Sequence, residues 1–274
     1  MSSQQPKARI AFVGCGAHSI HLMFPAALQA QNVELVAACD LLRERAERAA
    51  REFGARNSYT HAEEMLDKEV PDGVVVIGPP QMQVEVSRQV LGRGIPVLVE
   101  KPPALTAQEA DELTAFAAAH NTWGMVAFMK RFAVGYKMAK GIIARQEFGG
   151  LNLIEVEFSQ GPYPRIWGLP SPAVSFLTGQ VVHIFDLIRF FGGEVEALHA
   201  FYREVEPEKF GFAVSVRFAS GAVGTMNLNS LAAKQGFRDI QERLTVLGRE
   251  AMVMVEDMLR VRYQAREDWV EVPG

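Results

Sequence analysis

Arg9-Ile10-Ala11-Phe12-Val13-Gly14-Cys15-Gly16-Ala17-His18-Ser19, with Asp40 at the end of the next apolar run, decides the fold of the first half of this chain. An apolar strand ends in Gly14-x-Gly16-x-x-Ser19, and an amphipathic segment follows at once. The next apolar run, Val33 to Cys39, meets the acid. A dinucleotide site needs its parts in this order. Gly14 permits a tight strand-to-helix turn, and Gly16 lets the backbone approach a pyrophosphate. The helix start supplies free N–H groups and a favourable dipole, and Asp40 can accept from a ribose hydroxyl. Gly14, Cys15, Gly16, Ala17, His18 and Ser19 are therefore the expected phosphate loop.

Outward from this unit, apolar runs alternate with helical patterns. Leu41 to Phe53 is rich in helix formers, and Gly54 suits its C-terminal cap. Tyr59 closes a short strand, and Thr60-His61-Ala62-Glu63 reads as a capping box. Asp72 to Ile77 is a buried strand stopped by Gly78-Pro79-Pro80, and Val84 to Leu91 is helical. Pro96 to Val99 is another buried strand, and Thr106 caps a helix running to about His120. Unrelieved apolar strands between helices predict a parallel, doubly wound sheet covered on both faces. Past residue 150 the pattern alternates instead, in Leu153 to Phe158, Phe212 to Phe218, Leu244 to Leu247, Val253 to Tyr263 and Trp269 to Val272. Ala219 to Ala222 reads as a hairpin turn, Val181 to Phe191 as a helix, and Ser159 to Thr178 as a long loop. The expectation is an α/β chain: a Rossmann domain over 1–122, then an α+β domain over 123–274 with a largely antiparallel open sheet.

Composition narrows the function classes. The chain has 274 residues, 49% hydrophobic and 22% charged, and a formal charge of −4. That charge argues against nucleic-acid binding by phosphate neutralisation. No apolar run approaches the ~20 residues of a membrane span. The leader Met1 to Lys7 is too short for a signal peptide, so a cytoplasmic location is expected. Cys15 and Cys39 read as two reduced thiols, and the six histidines lack metal-ligand spacing, so no metal is expected.

Glu100-Lys101-Pro102-Pro103 follows the fifth strand, on the side of a parallel sheet that faces ligands. Lys101 there can bond a substrate oxygen, hold the nicotinamide ribose or relay a proton. Equally it can be a solvated lysine in a proline-stiffened turn. Four features now stand in order: the glycine turn with Asp40, Ile77-Gly78-Pro79-Pro80, Glu100-Lys101-Pro102-Pro103, and Ala127-Phe128-Met129-Lys130-Arg131-Phe132. With Gly179-Gln180-Val181-Val182-His183-Ile184-Phe185-Asp186 they resemble the Gfo/Idh/MocA family, the glucose–fructose oxidoreductase and inositol dehydrogenase-like group.

The resemblance covers nearly the whole chain. It implies an NAD(P)-dependent oxidoreductase moving a hydride between nicotinamide and a sugar, cyclitol or related polyol. Gly78, Pro79, Glu100 and Lys101 would line the cofactor, with Lys101 also on substrate and His183 the acid/base. Asp186, at i+3, shares a helix face with His183. Taken alone, a histidine on an apolar helix reads as a core residue.

This chain departs from the family pattern at Gly179, where many catalytic members carry a carboxylate four residues before the histidine; Gln180 is the nearest polar substitute. The second domain also reads as shortened. Tyr163 and Trp167, on the proline-rich loop, are candidates to stack on a sugar ring or to anchor the loop, and Arg165 is a candidate for a hydroxyl or an anion. Arg131 reaches either substrate or a surface salt bridge. Asp40 favours NAD, while Arg43 keeps NADP open.

Two other readings remain: a non-catalytic NAD(P)-binding, sugar-sensing regulator, and a relative that cleaves glycosides with transient use of NAD. Val214, Val216, Met226 and Leu228 are expected on an open sheet face, where they would pair copies of the chain into a homodimer or homotetramer.

Overall fold

Local chemistry accounts for most of the first-unit elements. The computed structural model describes residues 6–233, 240–265 and 268–272. The chain divides into two units, Met1–Ala127 and Phe128–Gly274. In the first, β1 (Ala8–Val13), β2 (Val33–Cys39), β3 (Asn57–Tyr59), β4 (Gly73–Val76), β5 (Val97–Val99) and β6 (Gly124–Val126) form one parallel sheet. Its order is β3-β2-β1-β4-β5-β6, the doubly wound arrangement in which order reverses between β1 and β4. Both faces are covered, as the apolar strands require. Ala11 and Val13 pack on one side with Val36, Val74 and Leu113. Phe12 packs on the other with Phe24, Leu35 and Val75.

The helices between these strands differ from expectation at their starts. A helical run opens at Ala17, passes through a π turn at Ser19–Met23 and becomes α1 (Phe24–Gln29). Next, α2 (Arg43–Phe53) ends on Gly54 at φ 74°, a left-handed cap that glycine adopts without strain. In α3 (Ala62–Glu69) the cap residue is His61, which makes no side-chain capping bond, so the box expected from Thr60 is absent. Thr60 lies one residue too early. Pro80 opens α4 (Pro80–Leu91), a turn before the expected Val84, because the first helical position needs no amide hydrogen. A capping box does form between Thr106 and Glu109, starting α5 (Ala107–Ala119). The boundary expected at 122/123 falls at 127/128, since β6 pairs with β5 and belongs to the first sheet.

The second unit opens with a 3-10 turn at Met129–Phe132 and α6 (Val134–Ile143), a helix the sequence pattern did not signal. Then come β7 (Leu153–Ser159), α7 (Pro172–Phe176), a π turn at Leu177–Val181, α8 (Val182–Gly192), β8 (Val195–Glu206), β9 (Lys209–Phe218) and β10 (Val223–Asn229). The chain ends with β11 (Gln241–Leu247), β12 (Ala251–Glu256), β13 (Arg260–Ala265) and β14 (Asp268–Val272). The sheet order is β14-β13-β12-β11-β7-β10-β9-β8, antiparallel except for the β7–β10 pair. The Ala219–Ala222 hairpin forms as expected between β9 and β10.

The structure departs from the sequence pattern at three further places. The segment Ser159 to Thr178 is not all loop, because α7 begins inside it and the helical run extends from Pro172 to Gly192. By length and composition alone that run could cross a membrane, yet Val181, Ile184 and Leu187 are core residues of this unit. The run Val253 to Tyr263 is two strands, joined through Asp257 and Met258 at φ 49° and 65°. Val214, Val216, Met226 and Leu228 are not on an open face: all are at most 6% exposed, in the core that includes Tyr136 and Leu187. Alternation separates two faces of a strand but does not say which one is covered.

Candidate functional site

The glycine turn has the backbone geometry that a dinucleotide-binding turn requires. Gly14 has φ +99°, and a Cβ on it would lie 1.8 Å from the Ile77 carbonyl oxygen, so only glycine fits. A Cβ on Gly16 would meet nothing within 4 Å, which leaves open space above the backbone for a pyrophosphate. Ser19 is fully buried and its hydroxyl donates to the Gly14 carbonyl at 2.6 Å, a tie across the turn that a glycine, having no side chain, could not make. Asp40 braces the same loop. One carboxylate oxygen accepts from the Cys15 amide at 2.9 Å, and the other from the Leu42 amide at 2.9 Å. Each oxygen keeps a further lone pair for a ribose hydroxyl. The Cys15 amide is thus committed to Asp40, while Ala17 and His18 are exposed. Cys15 and Cys39 are free and buried, and burial, then the Asp40 charge, pushes each thiol up to about 12.

The Glu-Lys-Pro turn is tied to this loop. His18 Nε2 lies 3.1 Å from Glu100 Oε1, and Glu100 Oε2 accepts from the Lys101 amide at 3.0 Å. The Lys101–Pro102 peptide is cis. Gln83, which sequence reasoning missed, connects the turn to the end of β4. Its amide nitrogen donates to the carbonyls of Glu100 at 2.9 Å and Pro102 at 2.7 Å, and its oxygen accepts from Gly78 at 3.3 Å. Gln83 is fully buried. The one signal for it was an amide side chain on the first turn of a helix leaving the ligand end of a strand. Pro79 is exposed beside it.

In the second unit, α8 carries His183 and Asp186 on one face, both buried. Arg131 reaches Asp186 with two parallel bonds, Nε to Oδ2 at 2.7 Å and Nη2 to Oδ1 at 2.6 Å. This hydrogen bonding raises the guanidinium pKa further, so Arg131 stays charged. Asp186 therefore orients Arg131, whose side chain remains 40% exposed. Phe128 sets its edge toward the His183 ring, centroids 6.2 Å apart. Tyr163 is half-buried, its ring against Phe176 and its amide bonded to the Glu208 carbonyl. Trp167 holds φ 52°, an uncommon backbone state for an aromatic residue, and both Trp167 and Gln180 are half-buried. Arg165 donates to the Gly168 carbonyl at 3.2 Å within the same loop.

Beside Arg131, Lys130 turns inward to Glu242, which also accepts from Tyr136. This buried triad, likewise missed, anchors the turn bearing Arg131. Its charges come from segments more than a hundred residues apart, which leaves no local signal.

The family model of the Gfo/Idh/MocA oxidoreductases with an NAD-binding Rossmann fold matches residues 8–128, and the model of the family's C-terminal domain matches residues 136–254. The chain belongs to the Gfo/Idh/MocA oxidoreductase family, and its first unit is the family's NAD-binding domain.

The rhizopine catabolism protein MocA of Rhizobium meliloti is 28% identical over 223 residues, 78% of this chain and 63% of that protein. The inositol 2-dehydrogenase of Pseudarthrobacter chlorophenolicus is 27% identical over 187 residues, 68% of this chain and 54% of that protein. The chain thus spans less than two thirds of the length of these relatives. Among solved structures, a dehydrogenase from Chromobacterium violaceum superposes with TM-score 0.90 at 24% identity, covering 98% of this chain and 81% of that one.

Proposed function

We propose that this protein is an NAD(P)-dependent dehydrogenase or reductase acting on a sugar, cyclitol or related polyol, with NAD preferred over NADP. The observation that carries the reading is Asp40, braced by the Cys15 and Leu42 amides beside the open space over Gly16. A carboxylate held there accepts from a ribose diol and repels a 2′-phosphate. Arg43 pairs weakly with Glu47, at 3.9 Å. NAD bound in this cradle supplies the hydride acceptor. Gly16, Ala17 and His18 would hold its phosphates, and Glu100 and Lys101 would border its nicotinamide end. His183 or Lys101 takes the hydroxyl proton, while Arg131, Trp167 and Gln180 bind further hydroxyls. The similarity to inositol 2-dehydrogenase supports a polyol substrate.

Absorbance at 340 nm with NAD⁺ or NADP⁺ and a panel of cyclitols, hexoses and glycosides tests this. Steady NADH formation with at least one polyol is expected, and a clear preference for NAD⁺. His183→Ala should keep cofactor affinity but lower turnover about 10²–10⁴-fold, the usual contribution of a positioned base; an unchanged rate removes His183 from the role. Glycoside cleavage with catalytic NAD⁺ and no net NADH would indicate the non-redox class, and tight cofactor binding without any turnover the regulatory one. We place self-association on the exposed edge strand β8, which shows Leu198, Phe201 and Val205 to solvent. Phe201→Glu should then reduce the mass measured by light scattering.

A further inference from the structure

Tyr163 and Gly179 occupy each other's space. A Cβ built on Gly179 would lie 2.5 Å from the Tyr163 hydroxyl oxygen, 3.6 Å from Tyr163 Cζ and 3.0 Å from Ile166 Cδ1. The hydroxyl therefore sits where a side chain at position 179 would begin. Residues 179 and 183 are four apart on the continuous helical run Pro172–Gly192, through the π turn at Leu177–Val181, so they fall on neighbouring parts of one helix face. The Tyr163 hydroxyl is thus delivered from a loop onto the His183 face of the helix. Its position is held at the backbone by the Glu208 carbonyl, 3.0 Å from the Tyr163 amide, and at the ring by Phe176, centroids 5.6 Å apart.

We propose that the Tyr163 hydroxyl and the His183 imidazole form a hydrogen-bonding pair that receives one substrate hydroxyl, and that glycine at 179 is what admits the tyrosine. The proposal rests on the dehydrogenase reading above. Burial pushes the phenol up to about 12, so it remains a donor at neutral pH and leaves proton removal to His183. In the oxidation, the substrate hydroxyl proton passes to the His183 imidazole. The carbinol hydrogen would leave with its electron pair to the hydride acceptor that bound NAD⁺ would supply, and a carbonyl would remain. The Tyr163 proton stays in place throughout, bonded to the substrate oxygen.

The test is a cycle of Tyr163→Phe, Gly179→Ala and the double variant, using myo-inositol and the best polyol of the panel. Tyr163→Phe should lower kcat/KM about 10–100-fold, the loss of one hydrogen bond in a site built for it, with the KM for NAD⁺ and the shape of the pH profile unchanged. Gly179→Ala should match that loss and lower Tm, because its Cβ displaces the hydroxyl. In the Tyr163→Phe background the same alanine meets the ring carbon at 3.6 Å and keeps only the 3.0 Å approach to Ile166 Cδ1, the movable end of a side chain, so the double variant should behave close to Tyr163→Phe alone. Wild-type kcat/KM in Tyr163→Phe, or equal damage by Gly179→Ala in both backgrounds, would overturn the proposal.

If the wild type turns over no polyol, the dehydrogenase reading falls. The Tm cycle and calorimetric titration of cofactor-loaded protein with myo-inositol then decide the pair. Weaker binding by Tyr163→Phe supports it, and equal or absent binding in both proteins rejects it.

Discussion

Gln83 shows how much one buried side chain can organise. It joins Gly78, at the end of β4, to Glu100 and Pro102, on either side of Lys101. Replacing it with leucine leaves an amide and two carbonyls without this partner, at about 1–3 kcal/mol for each buried group that stays unsatisfied. Gln83→Leu should therefore lower Tm and weaken NADH binding, followed by fluorescence titration. Unchanged stability with unchanged affinity would show that Gln83 merely fills space. Gly14 was legible because its demand is local: a tight turn after a strand needs a positive φ. Gln83 was not, because its partners lie on a different loop.

At the scale of elements, the 3-10 turn at Met129–Phe132 depends on a charge pair inside the second core. Lys130 and Glu242 are 5% and 4% exposed, and Tyr136 shares the carboxylate. Removing one partner strands the other, which typically costs about 3–5 kcal/mol, whereas replacing both by apolar residues of similar volume is often close to neutral. Lys130→Met should accordingly lower the denaturant midpoint markedly, and Lys130→Met/Glu242→Met should recover much of it. A double variant as unstable as the single one would mean that packing, not charge, sets the cost. The β12–β13 hairpin turns through Asp257 and Met258 rather than the Asn-Gly or Asp-Gly expected of such turns. Its geometry is supported from outside, since the Met258 carbonyl accepts from the Gly135 amide at 3.0 Å. The sequence therefore shows one long alternating run where the structure has two strands.

For the molecule as a whole, both units bury acids that titrate late. Cys15 and Cys39 in the first unit and Tyr163 in the second are each pushed up to about 12, chiefly by burial. Tyr136 is displaced upward by burial and by Glu242. A group whose folded pKa exceeds its unfolded value stabilises fully below the unfolded value and loses that contribution as pH rises toward the folded one. Unfolded thiols ionise near 8.5 and tyrosines near 10. Stability from these groups should hold to about pH 8.5 and then decline, read as a falling Tm between pH 9 and 11. A flat Tm over that range would contradict the burial of these groups. In the same folded protein at pH 8, both thiols should react with a disulfide reagent far more slowly than free cysteine.

The sequence by itself determined the order of elements in the first unit, the glycine turn, Asp40, and the placing of Lys101 at a strand end and His183 on a helix. Hydrophobic period and glycine's backbone freedom act over a few residues, so they can be read along the chain. Tertiary structure alone decided that β6 closes the first sheet and that Val214 and Met226 face a core. It also decided that Asp186 is engaged by Arg131 and that Tyr163 fills the space beside Gly179. Each of these depends on segments distant in sequence meeting at ångström range, where packing and charge pairing are set.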